Sequence, residues 1–250
     1  MNATEFFKAA CALEREGNYG RAYELLRRCD QLQSSDGADV GASALTKAGL
    51  LRLSPMWWAN LEHHDLRLRR CVPGDAIFFR RCFEDHDFSN QFNRQPPWSG
   101  ELGNALLKSG KLPPVQTGLL MWVIESVVTG PIGLASFSSI DTRNYRMELS
   151  IGFPGNVPST LGVKATLMML HFAFFLMPFN KVYSYIYEDN VKALHNALRF
   201  GFVHEGKLRD HFNIHGHGFV NVNVIGLTRA QVNTDVTLKS LAQRRIGQNW

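Results

Sequence analysis

The sequence predicts an α/β chain, α+β in detail: a mixed, mostly antiparallel sheet flanked by helices, preceded by a helical N-terminal extension. Three observations carry that expectation. Residues 119–128, 132–140, 145–153, 182–187, 202–209 and 219–227 are apolar, β-rich runs separated by turn residues. Two runs with helical spacing, 160–177 and the stretch holding Ala193, Leu194, Ala197, Leu198 and Phe200, fall between strands rather than after them. Residues 4–32 carry helical spacing alone. With 250 residues the chain can bury a full core, and its 45% hydrophobic and 20% charged content are those of a globular protein.

Taken in order, residues 6–15 and 21–31 read as two helices broken at Glu16-Gly17-Asn18-Tyr19-Gly20. Ala10, Leu13, Gly17, Tyr19, Ala22, Leu25 and Leu26 resemble one tetratricopeptide-style hairpin. One copy cannot make a solenoid, because each repeat needs neighbours to bury its face. Residues 1–60 are therefore expected to be a helical appendage, with a linker at 33–42, a further helix at 43–53, and a possible role in holding a protein partner. Leu66, Leu68 and Cys71 alternate with arginines as in a half-buried strand. Asp75 stands where it can cap a helix holding Ala76, Ile77, Phe78 and Phe79. Residues 84–114 are polar and turn-rich. Thr129-Gly130-Pro131 joins the 119–128 and 132–140 strands as a hairpin. The most apolar stretch, 165–177, is interrupted by Thr166 and His171 and is short for a membrane span, so a helix buried inside the fold is expected.

Charge and cysteines exclude several classes. The net charge of +5 is spread out, which does not point to nucleic acid and would suit an anionic cofactor. Cys11, Cys29, Cys71 and Cys82 form no Cys-x-x-Cys pair, so neither a zinc ribbon nor a disulfide framework is expected. Free thiols and the charged N-terminus, with Glu5, Lys8, Glu14 and Arg15, fit a cytoplasmic protein without a membrane role. His211, His215 and His217 lack an acidic or cysteine partner at ligand spacing and are expected to be turn histidines, not a metal site.

The most specific stretch is Asn190 to Gly206. Asp189 or Asn190 can cap a short helix, Gly201 can end it with positive φ, and Phe202 and Val203 restart a strand. Asn190, Ala193, Gly201, Phe202, Glu205, Gly206, Leu208 and Arg209 fall in the register of the GNAT superfamily of N-acyltransferases. The resemblance is strongest to the branch of the ribosomal-protein N-terminal acetyltransferases and spermidine acetyltransferase. It covers roughly residues 61–230, leaving 231–250 as a C-terminal tail.

The resemblance implies a GNAT-like sheet and an acyl-CoA-dependent N-acyltransferase that moves acetyl from acetyl-CoA to a primary amine by direct attack. The acceptor would be a small molecule or a protein N-terminus. The run 146–153 resembles the family's central strand, which implies that the main chain at Ile151 and Phe153 holds the cofactor arm like an added strand. Glu148 matches an acid that can take the amine proton; its other reading is an ion pair with Arg146 or Arg143. Ser159, Thr160 and Gly162 match the phosphate-binding start of the next helix, with Ser and Thr where the family has glycines and Gly162 where it has alanine. Asn190 matches the residue that contacts the cofactor arm. Ala197 stands where many members carry a tyrosine that protonates the leaving thiolate; Tyr185 and Tyr187 lie on the preceding strand. These departures leave open a catalytically impaired GNAT fold acting as an interaction module. The apolar helix leaves open a longer acyl chain.

Overall fold

The computed structural model describes residues 1–35, 40–92, 99–214 and 218–250. The chain divides into two compact units, Met1–Trp58 and Ala59–Trp250.

The first unit holds helices α1 (Ala3–Arg15), α2 (Tyr19–Ser35) and α3 (Val40–Leu53). Asn2 starts α1 with a capping box: its side-chain oxygen accepts from the Glu5 amide at 2.9 Å, and the Glu5 carboxylate accepts from the Asn2 amide at 2.8 Å. Gly17, at φ +78°, makes the turn into α2. Of the expected linker at 33–42, residues 33–35 belong to α2 and residues 40–42 to α3; residues 36–39 lie outside the described residues. A β-carbon at Gly49 would come within 2.8 Å of Leu26, so α2 and α3 approach closely there. Arg52 holds Glu14 with two bonds of 2.8 and 2.7 Å.

The second unit is built on an eight-stranded sheet in the order β1-β2-β3-β4-β5-β6-β8-β7. Its strands are β1 (Leu61–His63), β2 (Leu66–Arg70), β3 (Leu120–Ser126), β4 (Gly130–Asp141), β5 (Arg146–Gly152), β6 (Lys181–Tyr187), β7 (Val203–Ile214) and β8 (Gly218–Thr228). Every pairing is antiparallel except β5 with β6, which are joined by helix α8 (Ser159–His171). The mixed, mostly antiparallel sheet read from the sequence is thus the one present.

Helix α4 (Ala76–Glu84) buries Phe78, Phe79, Cys82 and Phe83 against Met121, Val123 and Leu134 of the sheet. Helices α5 (His86–Phe92), α6 (Gly100–Ser109) and α7 (Pro114–Thr117) fill the stretch before β3. In the opposing core, Trp122 meets Phe137 and Phe172 edge-on at 5.8 and 5.1 Å.

Asp75 does not cap α4. Its carboxylate is buried at 4% exposure and takes two 2.8 Å bonds from the Arg69 guanidinium and one from the Val72 amide. A charged partner one strand back is the stronger claim on a buried carboxylate than a helix amide.

The stretch Ser159–Leu176 is long and apolar enough to cross a membrane, but half of it is buried in this fold. Ala165–Leu170 are all buried, and Lys164 donates to Asp65 at 2.6 Å. The helix loosens into a π-type segment at Phe172–Leu176. Arg229 takes up its end, donating to the Phe174, Met177 and Phe179 carbonyls.

Residues 231–250 are not a tail. After β8 come α10 (Arg229–Thr234), opened by a capping box of Thr228 and Gln231, and α11 (Val236–Ile246), capped by Asp235 and closed by Gly247 at φ +67°. Leu238, Ala242 and Ile246 bury one face of α11, which packs on α8.

Arg69 also meets Glu125 at 3.2 Å, so the pair with Asp75 anchors β2, β3 and the start of α4. Asp75→Ala should cost about 3 kcal/mol in urea unfolding, because it leaves a buried guanidinium half-paired. A loss below about 0.5 kcal/mol would assign the pair no structural weight.

Candidate active site

The parallel ladder between β5 and β6 is short. Its partners are Arg146 with Lys181, Met147 with Val182, and Glu148 with Tyr183, and it stops there. On its other side β5 stays paired with β4 through to Gly152, and β6 stays paired with β8 through to Tyr187. The two strands therefore part beyond Glu148 and Tyr183 and leave a gap within the sheet. The Tyr145 carbonyl accepts from Asn180 and Lys181 and so points towards β6. Strand alternation then turns the main-chain groups of Leu149 and Ile151 into the gap, with the Phe153 amide next along the chain. Ile151 and Phe153 thus lie where an added extended chain would hydrogen-bond.

The open end of the gap is the carboxyl end of both strands, where a crossover helix begins. Helix α8 starts there with Ser159 and Thr160 exposed in its first turn and Gly162 half-buried. No side chain caps it: Pro158 holds the cap position, and its carbonyl accepts from Leu161. Ser159 and Thr160 are thus not caps, which leaves their hydroxyls and the first-turn amides to an anion. The Phe153 ring packs between Gly133, where a β-carbon would come within 2.6 Å of it, and Gly162, where the distance would be 3.4 Å. Glycine at 133 is what lets Phe153 lie flat on β4 beside the gap. Phe88 and Phe92 of α5, stacked at 4.8 Å, cover Gly152 in the same way.

Asn190 caps helix α9 (Val191–Arg199), its side-chain oxygen accepting from the Ala193 amide at 3.0 Å. Gly201 follows at φ +83°. Helix α9 buries no residue completely, although Ala193, Leu194 and Ala197 are half-covered. Lys164, three residues past Leu161, is spent on Asp65.

Glu148 sits at the closed end of the gap. It is half-buried and pairs with neither Arg146 nor Arg143: Arg146 meets Asp141 at 3.3 Å, while the Ser139 hydroxyl donates to Glu148 Oε2 at 3.3 Å. Burial pushes the Glu148 carboxyl above the ordinary glutamate range, against the pull of the Ser139 and Ser138 hydroxyls and the His211 imidazole. Ser139 owes its position to a β-bulge. Between the pairs Ser138–Glu148 and Asp141–Arg146, β4 holds one residue more than β5, and Ser139 takes φ +50°.

Three further side chains belong to this cluster. Tyr183 is the ladder partner of Glu148 and lies 5.6 Å from Tyr185, ring to ring. Tyr185 lies 5.2 Å from His211. His211 stands on a second bulge, in β7, where Asp210 at φ +48° donates its amide to Asn221 Oδ1 at 2.9 Å. His215 and His217 fall outside the described residues, and among the described residues no group of three or more metal-ligating side chains converges.

Comparison with known proteins agrees with this fold. The curated proteins give no match. Among solved structures, a spermidine N-acetyltransferase from Vibrio cholerae in complex with CoA and spermine superposes at TM-score 0.58 and 21% identity, covering 68% of this chain and 99% of that one. A GCN5-related N-acetyltransferase from Brucella melitensis superposes at TM-score 0.62 and 18% identity, covering 74% and 84%. At such identities the likeness shows the fold. The model of the acetyltransferase (GNAT) domain, a family that uses acyl-CoA, matches residues 65–203, from the β1–β2 turn to the start of β7. That match takes in more than half of the chain, including Glu148 and Asn190 and both walls of the gap, and the chain is a member of the GNAT acetyltransferase family.

Proposed function

We propose that this protein transfers an acetyl group from acetyl-CoA to a primary amine, the amine attacking the thioester carbonyl directly. The observation that carries the reading is a gap in the sheet with a half-buried, hydroxyl-bound carboxylate at its closed end and an uncapped helix start at its open end. The thioester supplies the activated acetyl group. The residues of the chain bind, orient and move protons. The main chain at Leu149, Ile151 and Phe153 would hold the cofactor arm, and the first turn of α8 with Ser159, Thr160 and Gly162 would hold its phosphates. The NH2 end of the Asn190 side chain would face a carbonyl of the arm, since its oxygen is taken by the helix. Glu148 would take the N–H proton of the attacking amine. Holding two reactants in line would supply most of the rate gain.

Direct attack is favoured over an acyl-cysteine route by the thiols themselves. Burial pushes Cys71 and Cys82 up to about 12, and both lie in the core that α4 makes with the sheet. An amine acceptor is favoured by a carboxylate as the base and by the bound spermine of the Vibrio cholerae neighbour. A cytoplasmic setting belongs to the same proposal. The reading of an impaired, binding-only fold rests on Ser159, Thr160 and Gly162, which depart from the family's phosphate loop, and on Ala197, which puts no hydroxyl where many members of the family have tyrosine.

Two results follow. Ser159→Glu/Thr160→Glu should fold normally, since acids suit a helix start, yet bind acetyl-CoA at least about tenfold more weakly in isothermal titration. Equal affinity would remove the phosphates from α8.

Glu148→Gln should lower kcat by about a hundredfold or more in an amine acetylation assay and remove the acidic limb of the pH–rate profile. The folded carboxyl has a raised pKa, so its charged form is the disfavoured one: the stability it contributes is present at low pH and fades as pH rises through that pKa. The Gln variant should therefore be no less stable than the parent at neutral pH. A clear loss of thermal stability together with activity would make Glu148 a structural residue instead.

A further inference from the structure

From Glu148 towards β7 the sheet face beside the gap turns aromatic. Tyr183 is the ladder partner of Glu148, and Tyr185, two residues on, projects from the same face. The Tyr183 and Tyr185 rings lie 5.6 Å apart at 76°, and Tyr185 in turn meets His211 at 5.2 Å and Phe212 at 5.9 Å. Tyr183, Tyr185 and Phe212 are half-buried and His211 is exposed, so these rings keep free surface. The wall is held from behind, because Tyr185 and Phe212 pack on the buried Tyr187, Val222 and Ile214.

The same region is poor in free negative charge. The acidic residues of strands β4 to β8 are Asp141, Glu148, Glu205 and Asp210. Asp141 is bound by Arg146 and Asn144, and Glu205 by Lys181 at 2.7 Å. Glu188, just past β6, is held by Lys207 and Asn221. Asp210 is exposed, next in the chain to Arg209 and His211, and an ion pair there would be worth little. Glu148 is thus the strand carboxylate that is half-buried and bound by a hydroxyl instead of a cation.

We propose that the acceptor is a monoamine whose short chain ends in an aromatic ring, an arylalkylamine in place of a polyamine; the inference rests on the acetyl transfer proposed above. The amino group meets Glu148, and the ring lies on the wall at Tyr185. Two residues along a strand span about 6.6 Å, a reach that a two-carbon link between nitrogen and ring covers once the ring's own width is added. A ring gains there on two counts: it takes apolar surface out of water, and it meets other rings edge-to-face. A second ammonium would gain only the weaker attraction of part-exposed rings, since among the described residues of these strands no half-buried carboxylate is left for it. The bond changes are those of any amine: N–C forms as C–S breaks, one N–H proton passes to Glu148, and coenzyme A leaves as its thiolate.

The test is a set of acceptors assayed with acetyl-CoA: 2-phenylethylamine, n-propylamine, spermidine and a tetrapeptide with a free N-terminus. With the wild-type chain, kcat/KM for 2-phenylethylamine should exceed that for each of the others by at least about tenfold, mainly through KM. In Tyr185→Leu the advantage over n-propylamine should shrink to about threefold or less, a change of ratio that loss of folded protein would not give. The wild-type ranking alone decides the matter if Tyr185→Leu does not fold. Spermidine or the peptide as the best acceptor, n-propylamine equal to 2-phenylethylamine, or an unchanged ratio in Tyr185→Leu overturns the proposal while leaving acetyl transfer intact. A wild-type chain that acetylates none of the four overturns the acetyl transfer itself.

Discussion

The site depends on one constraint: β5 and β6 are the only parallel neighbours in the described sheet, and they stay together for three residue pairs. A parallel pair needs a crossover, and α8 provides it, which puts a helix start at the end where the strands part. Each outer neighbour holds its strand in place, β4 along β5 and β8 along β6, so the gap is built into the sheet. Unpaired main-chain donors and acceptors inside a fold are costly unless something satisfies them. An extended ligand arm with amide groups meets that demand as another strand would.

Around the closed end, charge and packing are divided between the two faces. The aromatic and aliphatic core under α8 fixes β5 and β6 from below, with Met147, Leu149 and Val182 buried there. The other face carries Ser138, Glu148, Tyr183 and Tyr185, all half-covered, with His211 at the edge. Two β-bulges shape this face. Each one places a non-glycine residue at positive φ, Ser139 in β4 and Asp210 in β7, and each aims a polar side chain at the same place.

The fold was legible where local chemistry decides it. The strand runs, the Asn190 cap and the Gly201 stop are short-range signals and stand as read, whereas the hairpin turn falls at Val127-Val128-Thr129, with Gly130 and Pro131 already paired in β4. Glu148 was legible through its strand, and its competing ion pair was ruled out only by seeing Asp141 take Arg146. Asp75 was misread because its partner, Arg69, sits on the preceding strand and outbids a helix amide. The C-terminal helices were missed although Thr228-x-x-Gln231, Asp235 and Gly247 are ordinary start and stop signals. Ser139 and Tyr183 carried no signal of a site, and His211, expected in a turn, lies within β7 instead. Their juxtaposition comes from two bulges and from a pairing between strands that are distant in sequence, and nothing in the composition near them marks either.

The most direct measurement is residue-resolved amide hydrogen exchange with and without coenzyme A. If the gap receives the cofactor arm as a strand, the Ile151 and Phe153 amides and the first-turn amides of α8 gain protection, while β1, β2 and the first unit are unchanged. Unaltered exchange at Ile151 and Phe153 under saturating coenzyme A, or protection centred elsewhere, would contradict the account.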